Sequence, residues 1–448
     1  MIERDAYDLM KQWAERENRK PLVLRGARQV GKTTLVDSLS KMFDTYLRIN
    51  LENEDAAELF ERKGSTEDLI SSIFLYCNKM RKEGRTLLFI DEIQNSPKAV
   101  AKLRYFYEDL PYMHVIAAGS LLESLINRHI SFPVGRVEYL AIRPCTFSEF
   151  LGAVGETELR KALGLLNIPD AIHSKTMQLF NTYTFVGGMP EVVANYAKNK
   201  DFVSLNGIYE TLLTGYKDDV EKYAETNAMT NIIRYILDTG WTMAAQRIRL
   251  GGFAGSSYKS REMGEAFRML AKTMLLELSY PTSQTQLPFF PDMKRSPKLF
   301  WIDTGLVNYA ANVQKEVFGA KDILDAWRGA IAEQIVAQEL LALDSRVSVH
   351  RNFWVRDKQG SDAEVDLVLP HDGKLIPIEV KSGHNSRLTS LHLYMDQSPH
   401  ETAVRIWSQP LSVDKVKTQS GKEFKLINVP FYYAGLLREI IDRNNRDM

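Results

Sequence analysis

Ten consecutive residues, Arg25-Gly26-Ala27-Arg28-Gln29-Val30-Gly31-Lys32-Thr33-Thr34, carry the chemistry of a phosphate loop. They fit the spacing GxxxxGK[ST], with Gly26, Gly31, Lys32 and Thr33 at its fixed places. A polyphosphate is held by main-chain N–H groups wrapped around it, and only backbone free of Cβ obstruction wraps that tightly. Gly26 and Gly31 supply that freedom, so the amides of Ala27, Arg28, Gln29 and Val30 are expected to line the anion. Lys32 brings an ammonium to the β- and γ-phosphates, and the Thr33 hydroxyl offers a ligand to Mg²⁺. Thr34 continues a helix whose positive end faces the anion. The acids such a site needs follow in Thr86-Leu87-Leu88-Phe89-Ile90-Asp91-Glu92. Asp91 is expected to reach Mg²⁺ through its water shell, and Glu92 to orient or deprotonate the attacking water. The chain has no guanine-reading Asn-Lys-x-Asp, so ATP with Mg²⁺ is the expected pair of ligands.

A second set of charged side chains lies near the C-terminus. Ser361-Asp362-Ala363-Glu364-Val365-Asp366-Leu367-Val368-Leu369 and Lys374-Leu375-Ile376-Pro377-Ile378-Glu379-Val380-Lys381-Ser382 read as two strands joined by the turn Pro370-His371-Asp372-Gly373. Strand alternation puts Glu364 and Asp366 on one face, and Glu379 and Lys381 on one face. This arrangement resembles the nuclease core described as PD-(D/E)xK. Asp366, Glu379 and Lys381 stand at its Asp, Glu and Lys positions, and Glu333, in the helical stretch 327–336, stands for its helical acid. Val365 stands where that pattern has Pro. The resemblance implies that Asp366 and Glu379 bind Mg²⁺, which holds a scissile phosphate and a water, while Lys381 lowers the charge at that water. It covers members that bind without cutting as well as members that cut.

Positioning these groups requires particular elements. Pro21-Leu22-Val23-Leu24 is a short apolar run of buried-strand type directly before the loop, and Leu35-Val36-Asp37-Ser38-Leu39 has helical spacing after it. Residues 46–51 alternate as a second strand, the acidic stretch 52–61 reads as a helix or exposed loop, and 69–80 has helical spacing. His114-Val115-Ile116-Ala117-Ala118-Gly119-Ser120 reads as another strand, with helical spacing over 121–126. Residues 1–19 read as an amphipathic helix leading into the loop.

Farther on, Gly135-Arg136 precedes Pro144-Cys145-Thr146-Phe147-Ser148-Glu149-Phe150, and Val186-Gly187-Gly188-Met189-Pro190-Glu191 follows. Together with the phosphate loop, these elements resemble the prokaryotic AAA-type ATPases that carry an uncharacterised C-terminal region. The resemblance implies ATP hydrolysis and an arginine acting on the γ-phosphate, in cis or from a neighbouring subunit of a homo-oligomer. Arg136 is the matching position, with Arg25, Arg28 and Arg143 competing for the role and a structural salt bridge as the alternative. It also implies that Ser120 senses the γ-phosphate; the other reading of Gly119-Ser120 is a turn and helix cap.

Residues 152–205 have helical spacing and form a candidate lid. In 206–315, helix candidates at 230–237, 256–261 and 264–276 precede two strand-like pieces, 275–280 and 298–303, an order compatible with a winged helix. That unit either places a helix against DNA or serves as a packing module; Lys259, Arg261, Lys294, Arg295 and Lys298 are its basic residues to watch. After the hairpin, strand-like pieces at 403–407 and 424–429 and a helix over 433–443 complete an α/β unit.

The expected fold class is therefore α/β: an AAA-type nucleotide domain over 1–150, a helical lid-like segment over 151–205, a winged-helix-like domain over 206–315 and a restriction-endonuclease-like domain over 316–448. A chain of 448 residues is too long for one ordinary core. Its 57 basic and 57 acidic residues balance, so DNA or RNA must be met by a local basic face, not by a whole-molecule field. Two cysteines, Cys77 and Cys145, build neither a disulfide framework nor a zinc site. No run approaches the roughly 18 apolar residues of a membrane span, and the charged start lacks a signal-peptide core; a cytoplasmic location without membrane contact is expected.

Overall fold

In this computed structural model the apolar run before the phosphate loop forms β1 (Leu22–Arg25), buried along its whole length. The structure describes residues 2–119, 133–220, 224, 226–313, 329–358, 362–382 and 388–446. With β2 (Thr45–Asn50), β3 (Thr86–Asp91), β4 (His114–Gly119) and β5 (Glu138–Ala141), β1 makes a parallel sheet of order β2-β3-β4-β1-β5. A parallel sheet is covered on both faces, which explains why these strands read as continuous apolar runs. Alternation divides them between two cores. Val23, Leu88, Ile90, Val115 and Ala117 pack on the helices Glu54–Glu61, Thr66–Tyr76 and Pro97–Asp109. Leu22, Leu24, Phe89 and Ile116 face the helix Lys32–Leu39 that follows the loop, and belong to a core that continues without a break to Ile441.

That shared core is built by the middle of the chain. The helix Phe147–Ala153 starts at a capping box in which Thr146 and Glu149 satisfy each other's backbone amides. The helices Thr157–Gly164, Asp170–Val186 and Pro190–Asn199 follow where the lid-like segment was expected. Next come the helices Asn206–Asp218, Asn227–Thr239 and Ser260–Lys272, with an antiparallel ribbon of β6 (Leu276–Ser279) and β8 (Lys298–Trp301). Three helices and a ribbon are thus present, but the ribbon is not a free wing. Every residue of β8 is buried, and the short β7 (Pro281–Thr282) between the two ribbon strands leaves to pair with the C-terminal sheet.

The C-terminal sheet has the order β13-β14-β12-β11-β10-β9-β7. Its new members are β9 (Asn352–Val355), β10 (Glu364–His371), β11 (Lys374–Val380), β12 (Thr402–Trp407), β13 (Ser412–Lys417) and β14 (Glu423–Pro430). β10 and β11 form the expected hairpin, but its turn is only Asp372-Gly373, with φ of 46° and 70°, the pair of positive angles that a two-residue turn demands. The helix Ala330–Ala342 crosses this sheet and is fastened to β8: Gln334 Nε2 donates to the Trp301 carbonyl at 2.7 Å, and its Oε1 accepts from the Trp301 amide at 3.0 Å. No helix among the described residues is long and apolar enough to cross a membrane.

Candidate functional site

The loop leaves β1 at the carboxyl edge of the parallel sheet. Its tight path needs positive φ at Gln29 (62°) and Gly31 (91°). Gly26 proves to be required for a different reason from the one its motif position suggests. A Cβ there would lie 2.3 Å from the Ile142 carbonyl oxygen, because the Ile142 amide is bonded to the Arg25 carbonyl at 2.6 Å. The glycine thus admits the segment leaving β5.

Lys32 turns back onto the loop and donates to the carbonyls of Gly26 at 2.9 Å and Ala27 at 2.8 Å. Burial pulls its ammonium down to about 8, and Glu92 and Asp91 oppose that pull. Thr33 Oγ1 donates to Asp91 Oδ2 at 3.0 Å, so the two groups expected at Mg²⁺ already meet. Arg48, from the neighbouring β2, stands 3.5 Å from the same oxygen. Glu92 follows in a left-handed backbone conformation, φ 50° and ψ 44°, and the Gln94 amide donates to its carboxylate. Lys32, Thr33, Asp91 and Glu92 open on one cleft of about 730 Å³, which Pro190 and Glu191 also line.

These last two explain the Gly187-Gly188-Met189-Pro190-Glu191 element. Pro190 starts a helix directly against Gly31, its Cγ 3.6 Å from where a Cβ would stand. The glycines before it let the chain pass between two partners. At Gly187 (φ 74°) a Cβ would meet Asp303 at 2.3 Å, and at Gly188 the Cys145 carbonyl at 2.2 Å. Gly188 donates its amide to Asp303 Oδ2 at 2.5 Å and its carbonyl accepts from the Cys145 amide at 2.6 Å. Burial pushes Asp303 up to about 6 against the backbone amides it accepts.

Among the arginines, Arg28 lines the cleft and pairs with Asp219 at 2.7 Å. Arg4, which sequence reasoning missed, also lines it: its Nη1 donates to the Val30 carbonyl at 3.1 Å, and its Nε pairs with Glu149 at 2.9 Å. No spacing signal connects Arg4 to the loop. Gln94, two residues past Glu92, had such a signal. Arg136 does not reach its own loop. It precedes β5 at the amino edge of the sheet, opposite the loop, and pairs with Glu108 at 2.8 Å; in parallel strands the two edges lie a strand length apart. Arg143 points elsewhere, to the Arg346 carbonyl at 3.3 Å, and burial beside Arg351 lowers it to about 10. Arg25 is buried in β1. Ser120 lies outside the described residues.

The structure also brings the second set together. Asp366 Oδ2 accepts the Val380 amide at 2.8 Å, which holds β10 against Glu379, and Lys381 pairs with Glu379 at 2.7 Å. Glu333 arrives from the helix Ala330–Ala342. A sixth group, Lys298 of β8, enters between them, with Nζ 2.6 Å from Glu333, 2.8 Å from Glu364 and 3.9 Å from Asp366. Burial and the neighbouring Asp366 push Glu379 up to about 8. Among the described residues no group of three or more His, Cys, Asp or Glu is arranged to hold a metal ion. Of the other basic residues singled out, Arg295 is tied to Asp292 and Asp357, while Lys259, Arg261 and Lys294 are exposed.

Comparison with known proteins bears on the N-terminal part. Residues 18–151 match a family described as an AAA domain; residues 177–317 and 328–428 match two domains of unknown function, DUF8612 and DUF4143. No curated protein matches the chain. Similar solved structures include a Walker-type ATPase of Pyrococcus abyssi, 12% identical with a TM-score of 0.42 over 69% of this chain and 96% of that one. PCH-2 of C. elegans is 10% identical with a TM-score of 0.28, over 44% and 62%. A signal transduction ATPase with a tetratricopeptide repeat sensor from Pyrococcus horikoshii is 11% identical with a TM-score of 0.27, over 75% and 44%. The N-terminal part thus has the loop, the parallel sheet and the family match of an AAA-type P-loop ATPase domain.

Proposed function

We propose that the chain binds ATP with Mg²⁺ and hydrolyses it at the cleft beside β1. The observation that carries this reading is the convergence of Lys32, Thr33, Asp91 and Glu92 on one opening, with Thr33 and Asp91 in contact. Thr33 and Asp91 would hold Mg²⁺, which when bound would supply charge neutralisation at the phosphates. Loop amides and Lys32 orient the polyphosphate, and Lys32 exchanges its two carbonyl partners for phosphate oxygens. Glu92, held by Gln94, accepts the proton of the attacking water. Arg28 and Arg4 are the arginines placed for a cis role, and Arg136 keeps only a role toward a neighbouring copy. Because Pro190 and Asp219 touch the loop while the same core runs into the C-terminal sheet, the nucleotide state is transmitted to the C-terminal half. Calorimetry and phosphate release with the purified chain test this reading: Mg²⁺-dependent ATP affinity that Lys32→Ala abolishes is expected, and its absence for every nucleoside triphosphate overturns it.

For the C-terminal half, one observation favours recognition of nucleic acid or protein without cleavage: the ammonium of Lys298 stands among the acids that cleavage would need for metal.

A further inference from the structure

A second cavity, of about 90 Å³, is lined by Ala27 of the phosphate loop, Arg143 of the segment leaving β5, Met274 and Leu276 at the start of the ribbon, and Val349 and Arg351 ahead of β9. It therefore touches the AAA-type domain, the middle of the chain and the C-terminal unit at once. Most of its wall is apolar. Three basic side chains, Arg143, His350 and Arg351, stand in it around one carboxylate, Glu277.

That carboxylate is already committed. Glu277 Oε1 accepts the Arg351 amide at 2.6 Å, its Oε2 accepts Arg351 Nε at 2.9 Å, and His350 Nδ1 lies 3.7 Å from Oε1. The other acids nearby are also spoken for. Asp344 pairs with Arg346 at 2.6 Å, and Glu339 turns its Oε1 to Tyr183 and Phe147, with burial keeping its carboxyl neutral up to about 7. Arg143 is left over. Its Nη2 donates to the Arg346 carbonyl at 3.3 Å, while its Nε is buried with no hydrogen-bond partner among the described residues. A cationic N–H removed from water without an acceptor is costly, and an anion brought to it relieves that cost. The lowering of Arg143 to about 10, by burial beside Arg351, has the same cause.

We infer that this cavity binds a small organic monocarboxylate, whose carboxylate meets Arg143 and whose short tail lies along the apolar wall. One unanswered positive charge asks for a monoanion. The volume admits about three waters or a chain of about four carbons. Inorganic phosphate brings extra charge and nothing to cover Met274, Leu276 and Val349. The site is also connected to the nucleotide. The Arg143 carbonyl accepts Arg4 Nη2 at 2.5 Å, Arg4 Nη1 donates to the Val30 carbonyl at 3.1 Å, and Ala27 belongs to the wall itself. Filling the cavity therefore changes ATP affinity, and ATP changes the carboxylate's affinity by the same factor. This coupling rests on the ATP-binding reading; the carboxylate site does not.

The test titrates butyrate into the full chain without nucleotide, followed by ligand-observed NMR. Wild type is expected to bind butyrate at least about tenfold tighter than its neutral counterpart butyramide, and Arg143→Met to lose at least about tenfold in butyrate affinity. Should Arg143→Met fail to fold, Ala271→Leu keeps the arginine, enlarges a side chain of the wall and is expected to lose butyrate as well. Equal binding of butyrate and butyramide overturns the site, as does butyrate binding that a folded variant retains in full. Arg143-dependent binding of inorganic phosphate in place of butyrate overturns the class of ligand. Saturating butyrate is then expected to change ATP affinity by at least about fivefold. An unchanged ATP affinity overturns the coupling, and absence of any ATP affinity overturns the ATP-binding reading while butyrate binding still decides the site.

Discussion

Thr33 Oγ1 and Asp91 Oδ2 are 3.0 Å apart although 58 residues separate them in sequence. The contact follows from topology: β1 and β3 both end at the carboxyl edge of one sheet, so the helix after the first and the acid closing the second share a corner. Thr33→Ala should therefore separate metal from nucleotide. Metal-free ATP binding is expected within about twofold of wild type, while the gain in affinity on adding Mg²⁺ falls at least about tenfold. Calorimetry with and without chelator reads both values, and an undiminished Mg²⁺ effect removes Thr33 from the metal.

Glu92 is set apart from Asp91 by its left-handed backbone and its bond from Gln94. Replacement by Gln should lower kcat by roughly 10²–10⁴, the usual worth of a general base, with nucleotide affinity kept. Gln94→Ala, which touches no nucleotide group, should lower kcat by about tenfold or less and leave KM unchanged. Steady-state turnover across both variants decides; equal rates for Glu92→Gln and wild type leave the proton acceptor elsewhere.

The phosphate loop could be read from sequence because its chemistry is local: spacing alone brings Gly26, Gly31, Lys32 and Thr33 together, and the strand and helix around them have plain periodicity. The hairpin bearing Asp366 and Glu379 was readable for the same reason. Arg136 was not, because its distance from the loop depends on which end of a parallel strand it occupies. Arg4 reaches Val30 and Glu149 only through the folded chain. Lys298 was visible merely as part of a short basic run; its carboxylate partners belong to another unit. The two-residue β7, which ties the ribbon to the C-terminal sheet, is too short for any periodicity.

Gly187-Gly188 has a steric reason that predicts opposite outcomes for two similar substitutions. A Cβ at Gly188 meets the Cys145 carbonyl at 2.2 Å and amide at 2.9 Å, both backbone atoms that cannot swing aside. Gly188→Ala should cost about 3 kcal/mol or more, or prevent folding. Gly207, at the start of the helix Asn206–Asp218, has nothing within 4 Å of a new Cβ, and Gly207→Ala should stabilise by about 0.5–1 kcal/mol. Urea unfolding of both variants checks the contrast, and equal effects would refute the packing argument.

Glu339 ties the helix Ala330–Ala342 to the helices Phe147–Ala153 and Asp170–Val186 and should make stability fall with pH. Its Oε1 accepts from the Tyr183 hydroxyl at 2.6 Å and the Phe147 amide at 3.1 Å, while Glu149, in the helix Phe147–Ala153, and Asp5, at the start of the helix Asp5–Glu15, act on it electrostatically. Burial pushes the carboxyl from 4.5 up to about 7, and the two hydrogen bonds only partly oppose that. Because the folded value lies above the unfolded one, the folded chain binds more protons in this window. The stability from the neutral carboxyl is complete below about 4.5 and is lost as pH rises through about 7. A shift of this size corresponds to about 3 kcal/mol. Glu339→Gln keeps the accepting oxygen and removes the titration, so the stability difference between variant and wild type should move in the variant's favour by about that amount from pH 5 to pH 8. Urea melts of both proteins at the two pH values measure it. A difference that stays constant with pH would show that Glu339 remains in one protonation state throughout.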